Sequence, residues 1–260
     1  MFKSIEIEQN GAVGILRLND PATLNAMSMT MAEEIGPALD RLLATSRVIL
    51  LTGAGRAFCS GANLSDGSQV SGEVPDFGLG LERYVNPLML RLRDLPVPWI
   101  SAVRGAAAGV GCSLALGADM VIASETAYFL QAFSRVGLVP DGGSSHMLVR
   151  SIGRVRTMEM MLLGDRLPAA KALEWGLVNQ VVPDADLDAT ALALGERLAK
   201  GPASLRTIRQ MVWSALDEDF TNVLHRERIE QAAAGLTPDC AEGIAAFVEK
   251  RAPAFKGPTA

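Results

Sequence analysis

The sequence has few of the residues that usually crosslink small folds or bind metals. It contains three cysteines and two histidines among 260 residues. Cys59, Cys112 and Cys240 are widely spaced, and no two of them form a CxxC pair. The sequence therefore predicts neither a disulfide framework nor a metal site, and it fits the reducing environment of the cytoplasm.

The chain also lacks an excess of positive charge and a long apolar run. The 24 Lys and Arg residues against 29 Asp and Glu give a net charge of −5, which offers little to a nucleic-acid backbone. The longest uncharged run, residues 105–118, has 14 residues, whereas a membrane-spanning helix needs about 20. The first ten residues include the acidic Glu6 and Glu8, where a secretory signal would be apolar. We expect a cytoplasmic protein with neither a nucleic-acid nor a membrane partner.

Apolar residues are plentiful, at 49% of the chain, which is enough for one substantial core. Near the start, residues 5–8 alternate between apolar and charged, Asn10-Gly11 is a favoured two-residue turn, and residues 13–18 resume the strand pattern. The protein is therefore predicted to open with a β-hairpin.

A helix is predicted to follow from Met29, with apolar positions at helical spacing. Thr30 and Glu33 fit a capping box at its start, and Pro37 predicts a kink or a broken first turn. Residues 47–52 then form a short apolar run, which is typical of a strand buried on both faces.

Strand and helix patterns continue to alternate as far as residue 183, which predicts an α/β core with its functional groups on the loops. The predicted elements are strands at 99–103 and 120–123 and a helix through 112–116. Residues 65–75 are polar and precede a helix-like stretch at 79–92. They fit either a mobile flap over a site or an inert surface loop.

Beyond residue 183 the patterns are helical only. The predicted helices cover residues 184–200, 203–216, 220–234 and 238–251. We divide the chain into a core of residues 1–195 and a helical region of residues 196–260. The helical region packs on the core or forms oligomers, because it has more apolar positions than a solitary helix needs. These positions are Leu205, Ile208, Met211, Val212, Leu216, Val223 and Leu224.

Three glycine-rich turns, each after an apolar strand, are the most informative features, at residues 53–63, 105–111 and 140–143. The first two lack the GxGxxG spacing and the Walker lysine, which argues against a phosphate-binding loop. Backbone N–H groups at Ser60-Gly61 and at residues 109–111 can point outward and form an oxyanion hole. The alternative is that the glycines only permit tight turns.

Several separated motifs carry a family resemblance. They read VGILRLNDPATLNAM at 13–27, LLTGAGRAFCSGANL at 50–64 and AKALEWGLV at 170–178. With these motifs the chain resembles the crotonase superfamily of enoyl-CoA hydratases and isomerases. The resemblance implies a spiral of repeated ββα units and a C-terminal helical region for a homotrimer, often a hexamer. It also implies an acyl-CoA thioester substrate and neither a metal nor a redox cofactor, because coenzyme A is part of the substrate.

The resemblance also assigns site residues. It places the two oxyanion donors on the N–H groups of Ser60 and Val110, where the family usually has glycine at the second position. The residues that it implies for coenzyme A are Ser60, Gly61, Ala62, Asn63, Ala26, Met27 and Lys256.

The positions of the two glutamates that activate water in the family's hydratases read Ser113 and Phe133 here, and neither residue can do so. Asp141 instead stands where several isomerases of the family have their catalytic aspartate. One carboxylate can move a proton from C2 to C4 of an enoyl thioester, acting first as base and then as acid. Apolar neighbours would raise its pKa by desolvation. The alternative is that Asp141 caps the helix after Gly143.

Other polar residues are weaker candidates. His146 near Asp141 suggests a Ser/His/Asp triad, although such triads converge from separate elements. Cys59 and Cys112 fit small core residues better than nucleophiles. Glu82, Arg83 and Tyr84 fit a solvated face or the rim of the acyl site. The alternatives to isomerisation are hydration with an unidentified carboxylate, acyl-CoA binding without catalysis, and a hydrolase or dehalogenase in which Asp141 attacks.

Overall fold

The computed structural model describes residues 2–64 and 76–257. The strands are β1 (Ile5–Asn10), β2 (Val13–Leu18), β3 (Val48–Gly53), β4 (Trp99–Val103), β5 (Ala106–Ala108), β6 (Met120–Ser124), β7 (Tyr128–Leu130), β8 (Leu167–Pro168) and β9 (Gln180–Val182). The helices are α1 (Met29–Leu43), α2 (Phe77–Gly80), α3 (Asn86–Arg93), α4 (Val110–Leu116), α5 (Ser144–Leu163), α6 (Ala169–Trp175), α7 (Leu187–Ala199), α8 (Ser204–Ala215), α9 (Phe220–Ala234) and α10 (Pro238–Glu249).

The strands form two sheets. The larger sheet has the order β1-β2-β3-β4-β6-β9, with β1 antiparallel to β2 and every other neighbouring pair parallel. The smaller sheet has the order β5-β7-β8. The chain passes from β4 to β5 and then into α4, and from β6 to β7 and then into α5. This repeated strand–strand–helix order is the predicted ββα spiral. It places the turns that follow successive strands next to one another.

The large sheet is covered on both faces. All six residues of β3 are buried, because its side chains contact one apolar cluster on each face of the sheet. One cluster includes α7, and the other includes α1, α3 and α4. A strand buried on both faces has a continuous apolar sequence, which is why residues 47–52 revealed it.

The predicted hairpin is present, with β1 and β2 closed by the pair Asn10 and Val13, so its two-residue turn is Gly11-Ala12 and not the predicted Asn10-Gly11. The helix α1 begins at Met29 as predicted, but the predicted capping box at Thr30 and Glu33 is wrong, because the N-cap of α1 lies two residues before Thr30. Its N-cap is Ser28, whose Oγ accepts a hydrogen bond from the Met31 N–H at 3.1 Å. The first turn is intact and the helix is continuous through Pro37.

The predicted helix at 79–92 consists of α2, a π-helical turn (Leu81–Val85) and α3. The proposed flap at residues 65–75 lies outside the described residues. No helix within the described ranges is long and apolar enough to cross a membrane. In the same ranges, no three His, Cys, Asp or Glu side chains group closely enough to hold a metal ion.

The C-terminal helices lie within one residue of their predicted bounds at most ends. The boundary predicted at residue 195 falls inside α7, which packs on the large sheet, so we propose to place the boundary after α7. No residue of α9 is buried, and the helical region leaves large apolar side chains exposed. They are Ile208, Val212, Phe220, Leu224, Ile229, Leu236, Ile244, Phe247 and Val248.

Candidate active site

The first glycine turn, at residues 53–63, is hydrogen-bonded to two other segments of the chain. On one side the Cys59 N–H donates to the Ala106 carbonyl at 2.9 Å. On the other side the Ser60 N–H donates to the Leu24 carbonyl at 3.0 Å. The prediction that Ser60 supplies an oxyanion donor is therefore wrong, because its N–H is already bonded within the fold. Its hydroxyl is also engaged, with the Thr23 carbonyl at 2.9 Å.

Ala62 supplies an N–H of this turn that points away from the neighbouring segments. The Gly61 carbonyl accepts a hydrogen bond from the Met27 N–H at 2.7 Å. A trans peptide directs its N–H opposite to its carbonyl, so the Ala62 N–H points away from Met27. No acceptor in the described ranges takes a hydrogen bond from it. Sequence reasoning missed this donor because the direction of an N–H depends on the partners of its neighbours.

The second glycine turn leads directly into α4. Gly109 has φ 52° and ψ −127°, a conformation that L-residues with a side chain rarely adopt. Val110 is the first residue of α4, so its N–H has no acceptor within the helix. A Cβ built on Gly109 would lie 3.8 Å from the Gly61 Cα, so the two turns are in contact. The N–H groups of Ala62 and Val110 thus lie on adjoining turns.

Both turns open into a cavity of about 330 Å³. Its wall is mostly apolar, and two of its aromatic side chains come from the helical segment at 77–85. The lining residues are Met27, Ser28, Met29, Ala32, Ser60, Gly61, Ala62, Leu64, Phe77, Gly78, Gly80, Leu81, Tyr84, Val85, Gly109, Val110, Ala132, Phe133, Val136, Leu138, Val139 and Asp141. Asp141 is the one acidic side chain among these described lining residues.

Asp141 is half-buried in this wall, and its Oδ1 atom is buried with no hydrogen-bond partner in the described part of the chain. Burial raises the pKa of Asp141 to about 6, so the carboxylate is a stronger base than an ordinary aspartate. The alternative role as a helix cap is excluded. The N-cap of α5 is Gly143, and no side chain caps that helix. The carboxylate is therefore free to face a ligand in the cavity.

The two positions of the hydratase glutamates hold no acid or base in the fold either. Ser113 is fully buried, and its Oγ donates to the backbone carbonyl of Asp141 at 3.0 Å. The Phe133 ring lines the cavity, and its Cζ lies 3.7 Å from a Cβ built on Gly109. The described lining therefore presents one carboxylate and an apolar ring where two carboxylates would hold a water.

A Ser/His/Asp triad is not formed. His146 Nε2 lies 3.6 Å from Asp217 Oδ1, in a second cavity with Trp213, and is absent from the lining of the Asp141 cavity. Burial, together with the charge of Arg150, lowers the pKa of His146. The Ser144 hydroxyl donates to the Asp141 carbonyl instead of to an imidazole.

The two buried cysteines are core residues rather than nucleophiles. Burial raises the pKa of Cys59 to about 11 and that of Cys112 to about 12. Both thiols are therefore protonated at neutral pH, and a thiolate is needed for nucleophilic attack.

The residues predicted for coenzyme A are only partly brought together. Met27, Ser60, Gly61 and Ala62 line the cavity, whereas Ala26 and Asn63 are their chain neighbours and are not part of its lining. Lys256 lies elsewhere, exposed in the C-terminal segment, with its N–H bonded to Asp239 Oδ1 at 2.8 Å. Of the helix residues considered for the rim, Tyr84 lines the cavity, and Glu82 and Arg83 are exposed outside it.

Comparison with known proteins agrees with this architecture. The family model described as "Enoyl-CoA hydratase/isomerase" matches residues 8–258. The chain is 44% identical over 246 residues to a 1,2-epoxyphenylacetyl-CoA isomerase of Escherichia coli K12, covering 93% of this chain and 94% of the relative. It is 38% identical to a protein of Rhodobacter capsulatus described as a probable enoyl-CoA hydratase, covering 98% and 99%.

Solved structures share the fold. The crystal structure of "Enoyl-CoA Hydrates Subunit I" from Geobacillus kaustophilus HTA426 superposes with a TM-score of 0.92 at 36% identity, covering 99% of each chain. Three findings agree: the two sheets are wound as a ββα spiral, helices follow at the C-terminal end, and the family model matches nearly the whole length. The chain belongs to the enoyl-CoA hydratase/isomerase family, the crotonase superfamily of enzymes.

Proposed function

We propose that the protein is an acyl-CoA isomerase that moves a double bond of an enoyl thioester from the 3,4 to the 2,3 position. The observation that carries this proposal is the single carboxylate in the described cavity wall, Asp141, with an unpartnered buried oxygen and a pKa of about 6. The identity of 44% to an isomerase of coenzyme A thioesters supports the same reaction class.

In the proposed reaction the thioester carbonyl oxygen lies between the N–H groups of Ala62 and Val110. The Asp141 carboxylate removes a proton from C2, and the electron pair of that C–H bond moves into the thioester to form a dienolate. The two N–H groups stabilise the oxygen's negative charge, and each such donor contributes roughly 3–4 kcal/mol to the transition state. The carboxylic acid then returns the proton to C4, and the double bond is left between C2 and C3.

Hydration is the runner-up, because the relative from Rhodobacter capsulatus is described as a hydratase. Adding water needs a base to activate the water and an acid to protonate C2. Ser113 and Phe133 stand at the two positions where the family's hydratases hold those groups, so we rank hydration below isomerisation.

The two reactions are separated by substrate. With a 3-enoyl-CoA we expect conversion to the 2-enoyl-CoA, and incorporation of solvent deuterium at C2 or C4. With crotonyl-CoA we expect little water addition. Water addition to crotonyl-CoA without any double-bond shift would contradict the proposal. Tight binding of acyl-CoA without deuterium incorporation would instead identify a binding protein that has lost catalysis.

The role of the Val110 N–H predicts the effect of one backbone change. Replacing Val110 by proline deletes the N–H, and proline is tolerated at the first position of a helix. We expect kcat to fall by about 10²- to 10³-fold. The matched control is Val110→Ala, which keeps the N–H and shortens the side chain. Equal rates in the two variants would rule out the N–H as a donor to the transition state.

We also propose that the protein forms a homotrimer or a homohexamer. The exposed apolar side chains of α8, α9 and α10 support this assembly, since an apolar surface of that kind is usually covered by another chain. The acyl-CoA thioester remains the proposed ligand of the cavity, with Met27, Gly61 and Ala62 on the wall.

A further inference from the structure

The backbone carbonyl of Asp141 is held by three hydrogen bonds. Ser113 Oγ donates to it at 3.0 Å, Ser144 Oγ at 2.9 Å and the Ser144 N–H at 3.1 Å. Both serines are buried, with 0% and 2% of their surface exposed. Neither serine lines the described cavity, so neither touches a substrate there.

Ser113 connects the base to the oxyanion hole. It lies on α4 three residues after Val110, so the two residues share one face of the helix. The Ser113 hydroxyl has one proton to donate, and the Asp141 carbonyl is nearer than its other acceptor, the Gly109 carbonyl at 3.4 Å. The same short helix therefore presents the Val110 N–H and anchors the turn that carries Asp141.

The contact between this helix and the turn leaves no spare room. A Cβ built on Gly142 would lie 2.7 Å from the Ser113 Cβ and 3.7 Å from the Val110 Cγ2. Gly142 also has φ 58°, which favours glycine. A longer side chain at position 113 would displace the turn. Serine is thus both small enough to admit the turn and polar enough to bind it.

The carboxylate itself has no comparable support. Its buried Oδ1 has no partner within the described ranges, so no side-chain hydrogen bond to that oxygen sets the position of the base. Its position follows from the backbone of the turn. A shift of the carbonyl is transmitted to the carboxylate through only the Cα and Cβ atoms.

We propose that Ser113 and Ser144 are positioning residues, which hold the Asp141 carbonyl and thereby fix its carboxylate relative to the Val110 N–H. This inference rests on the proposed function, in which the carboxylate must reach C2 and then C4 of one bound thioester. Such transfers depend on placement to within about 1 Å. The two hydroxyls supply that placement without taking part in the proton transfer.

The test uses Ser113→Ala, Ser144→Ala and the double variant, with a 3-enoyl-CoA as substrate. The matched control is Ser101→Ala, because Ser101 is a buried serine on β4 whose Oγ has no hydrogen-bond partner among the described residues. We expect each single variant to lower kcat by about 10-fold and the double variant by about 100-fold, with KM changed by less than about twofold. Ser101→Ala should keep the wild-type kcat. Ser144→Thr, which restores the hydroxyl, should recover most of the rate lost in Ser144→Ala.

The pH profile separates positioning from a general loss of stability. When the carbonyl is released, the carboxylate relaxes toward water, so the acidic limb of kcat/KM should move from about 6 toward the ordinary aspartate pKa of 3.8. Carbon-13 NMR of the aspartate carboxyls, assigned with Asp141→Asn, measures the same titration without turnover. Wild-type kcat and an unmoved Asp141 titration in the double variant would overturn the inference. If the wild-type enzyme fails to shift the double bond, the proposed function fails, and the NMR titration still decides the role of the serines.

Discussion

Replacing Asp141 by asparagine is expected to lower kcat for double-bond isomerisation by about 10²- to 10⁴-fold, the usual contribution of a general acid-base group. Asparagine keeps the size of the side chain and removes its ability to accept and return a proton. Deuterium incorporation from solvent should be lost in parallel. Binding of a non-reactive acyl-CoA should persist, because the N–H groups and the apolar wall are unchanged. Full turnover by the variant would exclude Asp141 as the base.

The matched control is Asp40→Asn. Asp40 makes a surface ion pair with Arg91, its side chain is 68% exposed and it does not line the cavity. We expect this variant to retain the wild-type rate. The wild-type enzyme should itself lose activity as the pH falls through about 6, since Asp141 acts as a base only when it is ionised.

Stability provides a second control on the same variant. The folded pKa of about 6 exceeds the ordinary 3.8, so the folded state binds the Asp141 proton more tightly than the unfolded state does. The contribution of the bound Asp141 proton to the stability of the folded state is complete below pH 3.8, and it is lost as the pH rises through about 6. At pH 8 the ionised carboxylate therefore costs up to about 3 kcal/mol, because each pKa unit is worth about 1.4 kcal/mol. Asp141→Asn should be more stable than wild type at pH 8, which excludes unfolding as the reason for lost activity.

Replacing Arg209 by methionine is expected to lower the free energy of unfolding by about 3–5 kcal/mol, the usual cost of removing one member of a buried ion pair. Arg209 lies on α8 and is 5% exposed. Its Nε is 2.6 Å from Asp119 Oδ2, and its other nitrogens donate to the carbonyls of Leu92, Arg93 and Leu95. The variant would leave the carbonyls of Arg93 and Leu95 without a donor among the described residues, whereas Asp119 Oδ2 would keep the Trp99 N–H at 2.9 Å.

We expect Arg209→Met to loosen the C-terminal helices as well as to lower the stability of the whole protein. The reason is that Arg209 joins these helices to the end of α3 and to Asp119, the residue before β6. Urea unfolding followed by circular dichroism measures the free energy, and limited proteolysis reports whether α8 detaches first. The matched control is Arg206→Met, the same change at an exposed position of the same helix. An Arg209→Met protein as stable as the Arg206→Met protein would show that the buried network does not hold the helical region.

Most of the fold was predictable because its signals are local. The Asn10-Gly11 pair indicates a hairpin by itself, although the turn lies one residue later at Gly11-Ala12, and the all-buried β3 is apparent from an uninterrupted apolar run. The error at the start of α1 has a physical reason. Thr30 and Glu33 satisfy the pattern of a capping box, but Ser28, two residues before Thr30, is an equally good cap and allows about one more half-turn of helix.

The site was less predictable. Asp141 could be singled out because it stands where several isomerases of the family have their aspartate and no glutamate stands at the two hydratase positions, and Val110 because the resemblance implies the second oxyanion donor there. The choice of Ser60 as a donor failed, since Ser60 and Ala62 are both small residues beside Gly61 and the sequence does not distinguish their N–H directions. That distinction depends on Leu24 and Met27, whose backbones pair with the turn from a distant part of the chain.

By itself, then, the sequence predicted the opening hairpin, the buried strands β3, β4 and β6, the C-terminal helices, the family, and Asp141 as the candidate for a proton shift. Turn propensity, apolar periodicity and residue type are properties of short segments, so they can be recognised from the sequence without knowledge of the fold. Only the tertiary structure decided which N–H groups remain free, that burial raises the pKa of Asp141 as far as about 6, and that Ser113 and Ser144 hold its carbonyl. Each of these depends on atoms from distant segments meeting within hydrogen-bonding or van der Waals distance, and folding alone brings those atoms together.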